Sequence, residues 1–246
     1  MTGAALAISL LAPRDLLAEE NRSSQFAIGV AAFSQARAYG DHRTSLVPII
    51  GYDSRYLRVS GTTVDLRIPA LSSRRVSVSL RSNYDIGAGY EPSDTHVLRG
   101  MEERKPSVWI GPAVEWRTPI GHISAEWTKD ASGHAQGETA RLALSHPFKK
   151  GRLHLTPRAA AAWMSADTAN YYHGVRPGEA TQDRRTYQAS STTNFELGLR
   201  AAWAINDSSF IAMDVSGTRL GSAIRNSPLT ENENTTTIGV GYARRF

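Results

Sequence analysis

The chain of 246 residues contains no cysteine. Without cysteine there is no disulfide framework, no Cys-x-x-Cys redox pair and no thiolate metal site. Zero cysteine is also common in exported proteins, because a free thiol oxidises outside the cytoplasm. The chain also lacks any apolar run of about 18 residues or more, which excludes a membrane-spanning helix.

A strong charge of one sign is missing too, since 28 Lys and Arg face 23 Asp and Glu and the net charge is +5. The basic residues are scattered along the sequence, so we expect no nucleic-acid partner. The mean hydropathy of -0.34 is that of a polar chain. It fits either a soluble β-rich domain or a membrane β-barrel, whose alternating strands average to a polar value.

The first residues have features of a secretory signal. An apolar stretch over 4–12 is followed by Pro13 and a polar stretch that ends at Ala18. No Lys or Arg precedes the apolar stretch, which a start codon assigned too far downstream would explain. We therefore expect a signal peptide, truncated at its beginning, over 1–18 and a single domain over 19–246.

From residue 25 onward, apolar side chains recur at every second position in segments of about ten residues. Leu142 and Leu144, for example, alternate with Arg141 and Ser145. Strands of soluble sandwiches also alternate but usually have about 5–6 residues, whereas about ten are needed to cross a bilayer at a tilt. The sequence therefore predicts an all-β, antiparallel transmembrane β-barrel with strands over 25–38, 45–53, 55–61, 63–69, 74–86, 107–117, 120–130, 138–148, 151–165, 192–205, 208–219 and 235–246.

Short and long connections alternate along the chain. The short ones have turn residues, and the longer, polar ones cover 87–106, 131–137, 166–191 and 220–234. A transmembrane barrel sorts its connections in this way, with short periplasmic turns and longer external loops. We expect about 12 strands, or 10 if the region 45–69, which Pro48 and Pro69 interrupt, forms one bent hairpin.

The C-terminal strand has features of a barrel-assembly signal. Gly241, Tyr242 and the terminal Phe246 fit the pattern of a bacterial outer-membrane barrel, whereas Arg244 stands where an apolar residue is usual. The tryptophans agree with an interfacial aromatic girdle, since four of them have the outward parity near strand ends. These are Trp116, Trp127, Trp163 and Trp203, and Trp109 has the inward parity.

The inward parity places charges of both signs in the predicted lumen. The predicted lumen charges are Glu115, Arg117, Glu126, Arg141, Arg152, Arg158, Glu196, Arg200 and Asp214. One interpretation is a salt-bridged, partly filled lumen, because charges inside a closed barrel must pair with each other or with water. The other is a narrow water-filled pore with a slight preference for anions.

Catalytic chemistry is not expected. His42 follows Asp41, His96 is two residues from Asp94, and the predicted external loops also contain His134 and His173. Such Asp/His neighbours can act as general acids and bases, but polar loop residues are usually just solvated. Neither GxSxG nor HExxH occurs, and the histidine spacing is not a ligand pattern. We predict no catalytic residue, no cofactor and no metal.

The predicted external loops contain several arginines, whose planar guanidinium groups match the phosphates of lipopolysaccharide. An ordinary solvated loop explains them equally well. They are Arg99, Arg104, Arg176, Arg184 and Arg185.

Four landmarks resemble the MipA/OmpV family of outer-membrane proteins and occur in the family's order. They are the segment 47–56 with Val47, Pro48 and Tyr52; Gly100-Met101-Glu102-Glu103-Arg104 with the strand after it; GRLHLTPRAAAAW running into Tyr171-Tyr172-His173-Gly174-Val175; and the segment 220–229 before the last strand. Together they span roughly 26–246.

The resemblance implies a monomeric barrel in the outer membrane of a Gram-negative bacterium, in contact with its lipid and lipopolysaccharide. For the family's namesake it implies a non-enzymatic scaffold that holds a lytic transglycosylase and a bifunctional penicillin-binding protein together in peptidoglycan remodelling. The alternatives are a small porin-like channel, or a surface adhesin or antigen that acts through its external loops.

Overall fold

The computed structural model describes residues 25–246, so the predicted signal peptide lies outside the described residues. Within residues 25–246, thirteen antiparallel strands form a single sheet. They are β1 Gln25–Ala36, β2 His42–Asp53, β3 Leu57–Ser60, β4 Thr63–Arg67, β5 Val76–Tyr84, β6 Val108–Thr118, β7 Gly121–Asp130, β8 Glu138–Ser145, β9 Phe148–Lys150, β10 Leu153–Met164, β11 Thr192–Ala204, β12 Ser209–Arg219 and β13 Asn234–Arg245.

The sheet closes on itself as a barrel of twelve strand positions. β13 pairs with β1, and β10 pairs with β11, so no strand is left at an end of the sheet. β8 and β9 both pair with β10 and form one interrupted strand. The interruption falls at Pro147, which has no N–H to donate, while the N–H of His146 still donates to the carbonyl of Pro157 in the register of β8 and β10. The predicted twelve-strand antiparallel barrel is confirmed.

Alternation decides which side chains face outward. Leu142, Leu197 and Val240 are exposed on the outer surface, whereas their neighbours along each strand face the interior. Trp116, Trp127 and Trp203 are also exposed, and Trp109 is buried inside. The result is an apolar belt around the barrel, as a bilayer-facing wall requires.

The region 45–69 forms separate strands, so the twelve-strand alternative is the correct one. β3 and β4 are short and are joined by a tight turn in which Gly61 has a φ of 59°. A positive φ of this kind is open to glycine at little cost. Because β3 and β4 are each at most five residues long, the wall is low at this point.

The connections differ at the two ends as predicted. The turns at one end are mostly short, for example 119–120 and 151–152, although the connection 68–75 is longer. The four long loops predicted from the sequence lie at the other end, together with the short connections 37–41 and 61–62. The long loops contain two helices, α1 Ala166–His173 and α2 Ser222–Arg225, and three 3-10 turns lie at Pro69–Leu71, His96–Leu98 and Pro177–Glu179. Among the described residues, no helix is long and apolar enough to cross a membrane. We name the end with short turns, where both β1 begins and β13 ends, the periplasmic end.

Candidate functional surfaces

A buried ion-pair cluster lies in the lumen between β8, β10, β11 and β12. Arg158 makes a two-fold hydrogen bond to Asp214, at 2.9 Å for each Nη, and its Nε lies 2.8 Å from Glu196. Arg200 also reaches Asp214, at 3.0 Å, and Arg141 reaches Glu196, at 3.0 Å. Each buried carboxylate is therefore shared between two guanidinium groups, which offsets the cost of its desolvation.

The backbone of β11 makes room for this cluster. Gly198 stands directly opposite Arg158 in the register. A Cβ at position 198 would lie 2.5 Å from the guanidinium carbon of Arg158, so a larger residue would displace the arginine. Three alternate residues of β11 therefore build the cluster on one face of the strand. Glu196 pairs with Arg158, Gly198 leaves space for its guanidinium group, and Arg200 is the second arginine that pairs with Asp214.

A second ion-pair cluster lies across the lumen and contains residues that the sequence analysis missed. Arg81 binds Asp65 at 2.7 Å and also pairs with Glu126. Arg58 links Asp53, at 2.9 Å, to Glu115, at 3.4 Å. The missed residues are Asp53, Arg58, Asp65, Arg67 and Arg81, and four of these five lie in the region whose strands were hardest to assign.

The two clusters balance each other in charge. They contain six arginines and six acidic residues, which are Arg58, Arg67, Arg81, Arg141, Arg158 and Arg200 with Asp53, Asp65, Glu115, Glu126, Glu196 and Asp214. The other two predicted lumen charges, Arg117 and Arg152, are exposed at the periplasmic end. The two lumen clusters together therefore carry no net charge.

The external loops pack into a cap with its own core. Tyr39, Tyr90, Leu98, Val175 and Leu229 belong to one buried cluster, although they come from four different loops. Tyr39 also donates a hydrogen bond of 2.8 Å to the carbonyl of Tyr172 at the end of α1. Apolar contacts between loops that are distant in sequence therefore hold the external loops together.

Arginines fix the cap internally. Arg104 is almost fully buried, lies 2.6 Å from Glu179 and donates to the carbonyls of Glu102 and Tyr171. Arg184 is also buried and donates to the carbonyls of Val97, Arg99 and Glu179. These two arginines are therefore not available to bind the phosphates of lipopolysaccharide, and that hypothesis is wrong for them. The other three loop arginines, Arg99, Arg176 and Arg185, are exposed.

The candidate acid–base pairs of the loops do not form. Asp41 and Asp94 both bind Arg37, each at 2.8 Å, which ties the first two external loops together. His173 is buried and stacks on Tyr39, with 5.4 Å between ring centroids. Burial lowers the pKa of His173 to about 3. Among residues 25–246, no three His, Asp or Glu side chains lie close enough together to hold a metal ion.

The predicted assembly signal lies at the seam between the first and last strands. Phe246 is exposed, its N–H donates to the carbonyl of Phe26 at 2.8 Å, and the two rings lie 6.5 Å apart. The guanidinium of Arg244 lies 5.4 Å from the centre of the Phe246 ring. Tyr242 faces outward and Gly241 inward on the same strand.

The periplasmic end is strongly basic. Among the described residues at this end, nine side chains are basic and only Asp207 is acidic, apart from the paired lumen clusters. We call the nine the basic rim: Arg55, Arg74, Arg75, Arg117, Lys149, Lys150, Arg152, Arg244 and Arg245. All except Arg245, which is half-buried, are exposed.

The external end has the opposite balance, with eleven basic and thirteen acidic residues in the cap and the strand ends below it. The lumen is neutral, so the positive charge of the described chain resides in the basic rim. A surface of one sign attracts ligands and partners of the other.

A closed sheet with an outward apolar belt, an ion-paired lumen and packed external loops is the architecture of an outer-membrane β-barrel. Residues 28–246 match the family described as MltA-interacting protein MipA, and the chain belongs to this family. The resemblance recognised in the sequence is thereby confirmed, and so is the outer-membrane location. The landmarks around Arg104, Tyr172 and Ile224 are segments that build the cap.

Relatives at low identity cover almost the whole chain. Outer membrane protein Omp26La of Vibrio anguillarum is 28% identical over 226 residues, which is 90% of this chain and 87% of that protein. The MltA-interacting protein of Escherichia coli strain K12 is 23% identical over 227 residues, 90% of each chain. Among solved structures, an outer membrane channel from Pseudomonas putida F1 matches with a TM-score of 0.49 at 9% identity, covering 95% of this chain and 99% of that one.

Proposed function

We propose that this protein is a non-enzymatic envelope scaffold that binds a lytic transglycosylase through its basic rim. A relative in E. coli is named for interacting with such an enzyme. The concentration of nine basic side chains against one acidic side chain at the periplasmic end carries the proposal. A murein hydrolase works in the periplasm, so the rim is the part of the barrel that it can reach.

The closed interior supports a role at a surface over a role in transport. The cap packs its own apolar core, and the arginines in the lumen below it pair with carboxylates of nearby strands. A porin needs a continuous water-filled path with charges that contact the solute. The arginines here contact carboxylates of the same chain instead.

A second partner extends the proposal, because a scaffold must hold at least two proteins. The rim follows the circumference of the barrel, from Arg55 and Arg74 through Lys149 to Arg245. A penicillin-binding protein with an acidic surface would occupy one arc while the transglycosylase occupies another. Removal of basic residues from one arc should then weaken the binding of one partner more than the binding of the other.

The test is affinity capture from a detergent-solubilised envelope, with the captured transglycosylase and penicillin-binding protein quantified by mass spectrometry. The rim variant replaces three exposed residues, Arg74, Arg75 and Lys150, by Gln. The matched control replaces three exposed arginines of the cap, Arg99, Arg176 and Arg185, by Gln. We expect the rim variant to lose capture and the cap variant to retain it.

Salt supplies an independent readout. Contacts between exposed charges weaken as ionic strength rises, because the screening length falls from about 10 Å at 0.1 M to about 3 Å at 1 M. Capture by the unmodified protein should therefore fall between these salt concentrations. Equal capture by the rim variant and the unmodified protein would contradict the proposed docking surface.

A further inference from the structure

The barrel wall has a gap beside β2. β2 pairs with β1 over its full length but with β3 only from Gly51 to Asp53. The β3–β4 hairpin turns back at residues 61–62, and the next strand, β5, ends at Tyr84 level with that turn. No described strand lies beside residues 42–49 of β2 on this side. We call the gap bounded by residues 42–49, the turn 61–62 and Tyr84 the lateral notch.

The notch lies at the height of the apolar belt and not above it. Leu46 stands opposite Ala32 and Pro48 opposite Val30 in the β1–β2 register. Val30, Leu46 and Ile50 are exposed on the outer surface, and so is Tyr84 across the gap. The outer half of the bilayer therefore meets an interrupted wall at this position.

The edge of β2 along the notch leaves backbone groups without a strand partner. The carbonyl of Ile50 accepts from the N–H of Gly61 at 3.0 Å, so the backbone groups of every second residue above it point into the notch. Those residues are Pro48, Leu46 and Thr44. Pro48 has no N–H, and proline in a strand is confined to positions where no ladder bond is needed.

Open sheet edges are not tolerated where only hydrocarbon touches them, because the backbone groups then have no partner. A molecule in the notch must therefore offer apolar surface to the side walls and polar atoms to the edge. An acyl chain with an ester or amide near its head has both.

An apolar surface lies directly behind the notch. Val47 and Ile49 face inward, are buried, and form a cluster with Phe33 and Ala31 of β1. Ile86, from the loop after β5, packs against this cluster. The interior at this height is therefore apolar. The ion-pair cluster around Arg81 lies closer to the periplasmic end, and the cluster around Arg158 lies on the opposite wall.

The segment that carries Ile86 closes the notch from within without strand pairing. Gly89 has a φ of 88°, and a Cβ there would lie 2.2 Å from the carbonyl oxygen of Arg104. Its own carbonyl accepts a hydrogen bond of 2.6 Å from Arg37. The segment is held at the cap end, and no backbone hydrogen bond joins it to β2 in the described chain.

We propose that the lateral notch binds an acyl chain of an outer-leaflet lipid, which passes between the edge of β2 and Tyr84 and reaches Ile86 and Val47. An ion pair between Arg37 and Asp94 joins the first external loop to the loop after β5 above the notch, and the cluster around Arg81 lies below it. The notch itself opens on the bilayer, which supplies the ligand. The site is independent of any partner at the basic rim.

Photo-crosslinking in the native outer membrane tests this site. A photoreactive phenylalanine analogue replaces Ile86 in the full chain, and lipid adducts are detected by mass spectrometry of the intact protein. The analogue at Leu46, which is 75% exposed on the outer surface, is the positive control. The analogue at Leu229, buried in the cap, is the negative control. We expect adducts at positions 86 and 46; an adduct level at 86 no higher than at 229 would overturn the proposal.

A second variant closes the notch. Pro48→Val restores the missing N–H, and three alternating residues inserted on each side of the turn 61–62 extend the β3–β4 hairpin along β2. Heat-modifiable migration on gels reports whether this barrel folds. In the folded variant, the adduct at position 86 should be lost and the adduct at position 46 retained. Persistent labelling at 86 behind a closed wall would contradict lateral access.

Discussion

Asp214 is the centre of the buried lumen cluster. It is 1% exposed and accepts hydrogen bonds from Arg158 and Arg200. Asp214→Asn would remove the carboxylate that Arg158 and Arg200 share, and breaking a buried ion pair from one side costs about 3–5 kcal/mol. We expect the variant to unfold at lower urea concentration in a reversible refolding assay. Asp207→Asn, at an exposed turn, is the control and should leave the transition unchanged.

His173 makes the stability of the cap depend on pH. Burial lowers the pKa of His173 from 6.5 to about 3, so the folded cap holds the ring neutral while the unfolded chain protonates it below pH 6.5. The unfolded state therefore binds more protons between pH 3 and 6.5. Stability is full above pH 6.5 and falls as the pH is lowered through this range.

Hydrogen exchange of α1 measures the effect. Exchange should be faster at pH 5 than at pH 7.5 after correction for the intrinsic rate. His173→Phe keeps a ring against Tyr39 but cannot be protonated, so its corrected exchange should not change with pH. His42→Gln, at an exposed position at the start of β2, should behave like the unmodified protein. A pH dependence that survives in His173→Phe would place its origin elsewhere.

At the scale of elements, the seam between β1 and β13 depends on one small residue. Gly239 faces inward, and a Cβ there would lie 2.5 Å from the ring of Phe33, which is buried. Gly239→Val would push the ring away, and overpacking of this kind costs about 1–3 kcal/mol. We expect a lower temperature for the shift between folded and unfolded bands on gels.

Gly217 offers a matched control on the adjacent strand β12. It faces outward, and nothing lies within 4 Å of a Cβ built there. Gly217→Val should leave the transition temperature unchanged or raise it, because valine is the better strand residue. An equal fall in transition temperature in both variants would show that glycine is needed for its backbone freedom and not to leave space for the Phe33 ring.

Alternation in the sequence was enough to predict most strands, including the outward parity of Leu142 and Leu197 and the inward parity of Trp109. It was insufficient where strands are short. β3 and β4 contain only four and five residues, and Asp53, Arg58 and Asp65 could not be assigned to the lumen from so brief a pattern. The helix α1 was also missed, because its eight residues lie in a polar segment with no apolar periodicity.

At the scale of the whole molecule, closure predicts that the barrel does not conduct. Six arginines and six acidic residues are paired inside the lumen in two clusters, and the external loops pack together above them. Purified protein in a planar bilayer should give no stable conductance steps at neutral pH. Reproducible steps with a constant unit size would contradict a filled lumen and favour the porin-like alternative.

The sequence by itself determined the strand parity, the antiparallel barrel and the net charge of +5, because these depend only on residue order and count. Only the tertiary structure decided where that charge resides. Ion pairs such as Arg158 with Asp214 join residues 56 positions apart, so pairing neutralises the lumen and leaves the basic rim in excess. The lateral notch also depends on tertiary structure, because the pairing of β3 with only the last residues of β2 leaves the wall low there. The local sequence of β2 does not show which of its residues have a strand beside them.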